Sequence, residues 1–138
     1  MEKQVIHPKP AAADMPFVPA ITVKGDHKVI YAAGCTASPL YHSHPHVEEE
    51  LRVPDDIRHQ TRLTFDNIRL VLGACGATLK DVVRATVYLT DRAEMDAMNE
   101  EYEKIFQGHL PARSCVIVNG LVAPNLKIEV EVTAVVPS

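Results

Sequence analysis

The chain has 138 residues, a formal net charge of −4 and a hydrophobic fraction of 46%. That length suits one domain, which buries roughly two-thirds of its unfolded surface and folds without disulfides or metals. The mild acidity, with no basic run, excludes the electrostatic footprint of a nucleic-acid binder, and no segment approaches the about 20 apolar residues that cross a bilayer.

Cys35, Cys75 and Cys115 are widely spaced and include no CxxC pair. That pattern suits reduced thiols rather than a disulfide framework. The stretch from Met1 to Phe17 has charges and prolines but no apolar run of signal-peptide length. A soluble, cytoplasmic protein is expected.

Residues 1–15, with Pro8, Pro10 and three alanines, read as an extended arm leading to Pro16 and Pro19. Two short β-prone runs, Ala20 to Val23 and Lys28 to Ala33, flank Gly25-Asp26-His27 and predict a hairpin. Residues 38–54 carry Pro, His and Glu without periodicity and read as a long loop, a kind of segment more often functional than merely connective. Pro54-Asp55-Asp56 opens a helix, with Ile57, Thr61, Phe65, Ile68, Val71, Leu72 and Cys75 on its apolar stripe. From Val82 to Leu89 the period becomes two: Val83, Ala85, Val87 and Leu89 share one face, and Arg84, Thr86 and Tyr88 the other. Asp91 and Glu94 have capping-box spacing ahead of a second helix with a Met95, Met98, Tyr102, Ile105 and Phe106 stripe, ended by Gly108. Strands from Arg113 to Val118 and Leu126 to Val136 complete a β-β-α-β-α-β-β order of the α+β class.

Two helices cover only one face of such a sheet. Val116 and Val118 alternate against Cys115 and Ile117, so the strand is apolar on both faces. The second face needs a cover, and another copy of the chain supplies one; a homo-oligomer is expected.

Several residues bear on chemistry. Arg113 follows Pro111-Ala112 at the mouth of a buried strand, where its rigid fork suits a carboxylate. From the residues alone, a structural salt bridge or strand-end surface arginine is the simpler account. Glu129 and Glu131 share one strand face, opposite Ile128, Val130 and Val132. Paired carboxylates perform acid/base work when one is buried, although a solvated sheet face explains them more simply. Cys115 shares the face of Arg113, but no histidine is placed to activate it, so a small core filler is the plainer reading.

The cluster His42-Ser43-His44-Pro45-His46, followed by Glu48-Glu49-Glu50, invites a metal reading. Three histidines at i, i+2 and i+4 without a distant Cys or His partner fall short of the usual zinc pattern. A solvated loop at a pocket rim or oligomer surface is expected instead, with no metal and no cofactor. GxGxxG, GxxxxGK[ST], GxSxG and HExxH are absent.

One longer pattern gathers these residues. Pro111-Ala112-Arg113-Ser114-Cys115-Val116 with Lys127-Ile128-Glu129-Val130-Glu131, and the matching positions Gln60, Asn67, Ile68, Gly76-Ala77 and Asp81 to Leu89, resemble the RidA/YjgF family of reactive-intermediate deaminases, also called translation-initiation inhibitors. The resemblance runs from about Pro16 to the C-terminus. It implies a chorismate-mutase-like subunit, a mixed sheet with two helices on one face, and a homotrimer with ligand pockets at the subunit interfaces. It implies that Arg113 binds a substrate carboxylate and that Glu129 positions a water. It also implies that Gly34, Asn99 and Cys115 line the pocket. Phe17 stands where the deaminases have a tyrosine, Ala33 where they have a serine, and Cys35 where they have a glutamine. The implied activity is hydrolysis of a carboxylate-bearing imine or enamine to a keto acid and ammonia. The changed pocket leaves two alternatives open: an aminomuconate-type substrate, or a trimer that binds a small carboxylate without turning it over. Neither a nucleic-acid nor a membrane partner is expected.

Overall fold

A computed structural model of the chain describes residues 1–10 and 15–138. Residues 11–14 of the expected arm lie outside the described residues. The strands are β1 (Glu2–Ile6), β2 (Ala20–Lys24), β3 (His27–Tyr31), β4 (Val82–Leu89), β5 (Ala112–Ile117) and β6 (Ile128–Pro137). The helix α1 (Ile57–Ala74) precedes β4, and α2 (Met95–Phe106) lies between β4 and β5.

The N-terminal segment departs from the sequence expectation. Residues of the arm form β1, which pairs antiparallel with β2 from Glu2 opposite Lys24 to Ile6 opposite Ala20. The expected β2–β3 hairpin does not form: β2 belongs to a two-stranded ribbon with β1, and β3 to the main sheet. Short β-prone runs specify an extended chain but not its partner, because ladder hydrogen bonds are alike for every neighbour.

The main sheet has the order β3-β6-β4-β5. β4 and β5 are parallel, and the other two pairings are antiparallel. The parallel pair is joined through α2, the crossover that such a connection requires. Both helices lie on one face, where Phe65, Ile68, Leu72, Met98 and Tyr102 are wholly buried against Ala85, Val87, Ile128 and Val130. The Phe65, Tyr102 and Phe106 rings form the centre of this layer, with centroids 4.7 to 5.7 Å apart.

Local chemistry fixes the ends. Asp56 caps α1 by accepting from the His59 backbone N–H at 3.0 Å. Asp91 also caps, but its partner is the Ala93 N–H and it starts a 3-10 turn (Arg92–Glu94) that leads into α2. Gln107 and Gly108 end α2 with positive φ of 51° and 86°, the left-handed region that glycine adopts freely. In β4 a bulge between Val82 and Arg84 breaks the strict alternation, so Val82 is buried and Val83 only partly so.

Polar residues of α1 tie the layers together. Gln60 is fully buried; its amide donates to the Pro54 and Asn125 carbonyls at 2.8 and 2.9 Å, and its oxygen accepts from Lys127 N–H at 2.9 Å. Asn67 donates to the Thr36 and Ser38 carbonyls at 2.9 and 2.7 Å. The chain leaving β3 is thereby pinned to α1. Glu101 of α2, buried among Arg58, Arg62 and Lys104, ties the two helices by ion pairs.

Candidate functional site

Parallel pairing decides where Arg113 points. It lies opposite Ala85, and Cys115 lies opposite Val87, both of which face the helices. Arg113 therefore projects towards α2, half-buried, and its Nη1 donates to Asn99 Oδ1 at 2.7 Å. Its guanidinium carbon stands 4.8 Å from the centre of the Tyr102 ring and 6.0 Å from that of Phe17. Asn99 and Tyr102 are three residues apart on α2, the spacing that puts both on one helix face. Phe17 arrives from the N-terminal segment, where Val18 bridges to Ala112 in parallel and its N–H donates to the Pro111 carbonyl at 3.2 Å. Among the described residues no carboxylate pairs with Arg113.

Cys115 packs beside this arginine and against the core. Burial pushes its thiol up, and Arg113 offsets that only in part. The group is a protonated thiol at neutral pH, a contact rather than a nucleophile. Tyr102 is the residue that sequence reasoning placed only in the core stripe. It is fully buried, and its hydroxyl has no hydrogen-bond partner among the described residues. Burial raises it far above the usual phenol range, so it stays neutral and offers a donor beside the guanidinium. Its i+3 spacing from Asn99 was the signal for this placement.

Glu129 lies elsewhere. It is opposite Tyr88 on β4, on the face turned away from the helices. The neighbouring carboxylate, Glu131, accepts from the Tyr88 hydroxyl at 2.5 Å, and the two glutamates therefore have different tasks. A Cβ on Gly34 would stand 2.5 Å from Glu129 Oε2 and 3.0 Å from its Cδ, so a glycine is needed for the carboxylate to sit there. Backbone hydrogen bonds between Cys35 and Val130, 2.8 and 2.9 Å long, fix that approach. Ala33, exposed, adjoins Gly34 in the chain. Cys35 itself is buried, and its thiol is pushed up by burial and then by Glu129.

The expected site residues thus fall into two groups. Phe17, Asn99, Arg113 and Cys115 cluster on the helix side, and Ala33, Gly34 and Glu129 cluster on the bare side. β4 separates β5 from β6, so Arg113 and Glu129 stand on strands roughly 10 Å apart and on opposite faces. Within one copy they do not meet.

The bare face also carries Val29, Tyr31 and Val116, which are 37%, 82% and 42% exposed. A shallow groove of about 290 Å³ runs along it between Tyr31, Arg84, Thr86, Glu131 and Thr133. Among the described residues no helix is long and apolar enough to cross a membrane.

Comparison with known proteins fits this architecture. Residues 8–136 match the family model described as Endoribonuclease L-PSP, starting somewhat before the stretch whose pattern first suggested the family. Among solved structures, YyfA of Yersinia pestis, a protein of unknown function of the conserved Rid family, is 32% identical with a TM-score of 0.67, covering 98% of this chain and 100% of its own. YyfB from the same organism, likewise a Rid protein of unknown function, is 29% identical with a TM-score of 0.76, covering 97% and 98%. A putative endoribonuclease from Thermotoga maritima is 31% identical over the whole of both chains, with a TM-score of 0.68. With its full-length family match and its two helices over one face of a β3-β6-β4-β5 sheet, the chain belongs to the YjgF/Rid (Endoribonuclease L-PSP) family.

Proposed function

We propose that the protein hydrolyses a carboxylate-bearing imine or enamine to a keto acid and ammonia, at sites built between copies of a homotrimer in the cytoplasm. The observation that carries this reading is the state of Arg113: a half-buried guanidinium aimed by a neutral amide, Asn99, with no acid paired to it among the described residues. A fork held that way is a ready receptor for a substrate carboxylate. Phe17 and Tyr102 wall it with rings, and the Cys115 thiol and the Tyr102 hydroxyl supply neutral polar contacts.

The chemistry then needs one water. Its oxygen adds to the C=N carbon while Glu129 accepts the water proton. Glu129 passes that proton to the nitrogen, giving a carbinolamine; the hydroxyl proton then moves to the same nitrogen as the C–N bond breaks, the C=O bond forms and ammonia leaves. Because Glu129 and Arg113 stand on opposite faces of the sheet, the two come together only when the bare face of one copy meets the arginine edge of another. The apolar residues on that face support the same assembly. Free thiols at Cys35, Cys75 and Cys115 suit a reducing compartment.

The endoribonuclease name borne by some relatives has weaker physical support here. A chain with a net charge of −4 gives a phosphate backbone no overall attraction. The reading that competes on specific residues is a trimer that binds a carboxylate without turnover, since Phe17 and Ala33 lack the hydroxyls of the deaminase pattern. The deciding experiment generates imines in situ with an amino-acid oxidase and measures ammonia release. Wild type is expected to accelerate release, and Arg113→Ala to lose that acceleration. No acceleration with small, aliphatic or aromatic imino acids would leave the binding trimer or an aminomuconate-type substrate in its place.

A further inference from the structure

The histidine loop departs most from what its sequence suggested. His42, His44 and His46 are exposed and occupy alternate positions between Tyr41 and Val47. In an extended chain the outer two would be roughly 13 Å apart at the backbone. Here the ring centroids stand 4.7 Å (His42–His44), 4.9 Å (His44–His46) and 4.9 Å (His42–His46) apart. The ends of the run are as close as its neighbours, so the chain turns around one point. One nitrogen from each ring lies within 4.8 Å of the other two. The rings are tilted or edge-on to one another, with interplanar angles of 48°, 49° and 60°, so none lies face to face across another.

The turn is also held from outside. Both oxygens of Glu50 accept from Ser43, one from its N–H at 2.7 Å and one from its Oγ at 2.8 Å. Ser43 sits between the first two histidines, so this bidentate clamp fixes the curvature that gathers the rings. The Ser43 backbone N–H, helped by the Ser43 hydroxyl, holds the Glu50 carboxyl below its ordinary range. Glu50 is therefore ionised at neutral pH and adds to the negative charge of Glu48 and Glu49 in the same 3-10 turn. A converging set of imidazole nitrogens beside a negative patch is what a cation requires.

We propose that His42, His44 and His46 form a three-imidazole site for a divalent transition-metal ion of the zinc class, with an open coordination position for water. Imidazole nitrogen selects zinc, cobalt, nickel and copper over calcium and magnesium, which take oxygen ligands. A tetrahedral ion about 2.0–2.1 Å from each nitrogen needs the nitrogens roughly 3.4 Å apart, a closure within reach of exposed side chains by small rotations. Three protein ligands and one open position is the arrangement of reactive rather than purely structural zinc sites. The sequence reading set the cluster aside because zinc ligands usually come from two separated elements, whereas this loop closes a triangle by itself.

The test uses the full-length chain without a polyhistidine tag, stripped with chelator and titrated with Co²⁺ and then Zn²⁺. The expected result is saturation at one equivalent per chain, with cobalt d–d absorption that Zn²⁺ displaces. His44→Ala is expected to weaken binding about 100-fold, and Ser43→Ala, which removes one of the two hydrogen bonds of the Glu50 clamp, about 10-fold, the size usual for an outer-shell partner. His59→Ala, a surface control on α1, is expected to bind as wild type does. These histidines are exposed, so circular dichroism should show every variant folded. The proposal is overturned by non-saturable binding, by saturation at half an equivalent, or by His44→Ala behaving like His59→Ala. Ammonia release plays no part in these readouts, so they stand apart from the deaminase reading.

Discussion

The two faces of the β3-β6-β4-β5 sheet are built from the same strands but answer to different demands. On the helix face Ala85, Val87, Leu89, Ile128 and Val130 are wholly buried beneath α1 and α2. On the other face the same sheet presents Val29, Tyr31, Val116, Glu129 and Glu131, with no helix over them among the described residues. The covered face holds the fold together, whereas the bare face places a carboxylate beside a glycine and leaves apolar side chains in water. Alternation along each strand lets one sequence serve both, since changes on one face barely disturb the other.

The largest effect expected from this contrast lies on the covered face. Phe65 is fully buried at the centre of the aromatic cluster, and Phe65→Ala should cost about 3–5 kcal/mol. Urea unfolding followed by circular dichroism measures that loss. A cost below about 1 kcal/mol, the range of surface positions, would break the division between the faces.

The bare face makes a subtler prediction. If Arg113 of one copy works with Glu129 of another, Arg113→Ala and Glu129→Gln are each inactive alone but complement each other. Subunits of the two variants mixed equally and reassembled should regain about one quarter of wild-type ammonia release, the statistical share of intact sites in a mixed ring. No recovery, with mixed trimers demonstrated by native mass spectrometry, would mean that both residues serve one and the same copy.

The smallest expected effect concerns Cys35, where the two faces meet through the chain. Its thiol is raised by burial and then by Glu129. The folded chain thus keeps this proton to a higher pH than the unfolded chain does. Between the two titrations the unfolded state binds fewer protons, so stability falls as pH rises through the thiol range. Cys35→Ala removes the titration, and its stability difference from wild type should shift in favour of the variant between about pH 7 and pH 10. A gap that stays constant in denaturant melts across that range would contradict the burial of the Cys35 thiol beside Glu129.

Much of this molecule was legible from residues alone. The helical stripe through Ile57, Phe65, Ile68 and Leu72 and the period-two run ending in Leu89 are local signals, and both elements formed as read. Family resemblance implied one pocket of Gly34, Asn99, Arg113, Cys115 and Glu129, whereas within one copy the structure brings Asn99 to Arg113 and Gly34 to Glu129 on opposite faces. The partner of β2 was not legible, because extended runs carry no label for their neighbour. Nor was the bulge at Val83, the buried Tyr102 hydroxyl and ring beneath Arg113, or the triangle of His42, His44 and His46.

The sequence by itself therefore determined both helices and every strand but β1, which side of each helix is apolar, and which residues carry charge that the core does not need. Periodicity and capping encode those properties within a few residues. Only the tertiary structure decided that Arg113 and Glu129 face away from each other, that Asn99 rather than a carboxylate aims the guanidinium, and that three alternate histidines close on one point. Those outcomes depend on strand order, on register and on a clamp from Glu50. They are contacts between distant or folded-back segments, and no local pattern specifies them.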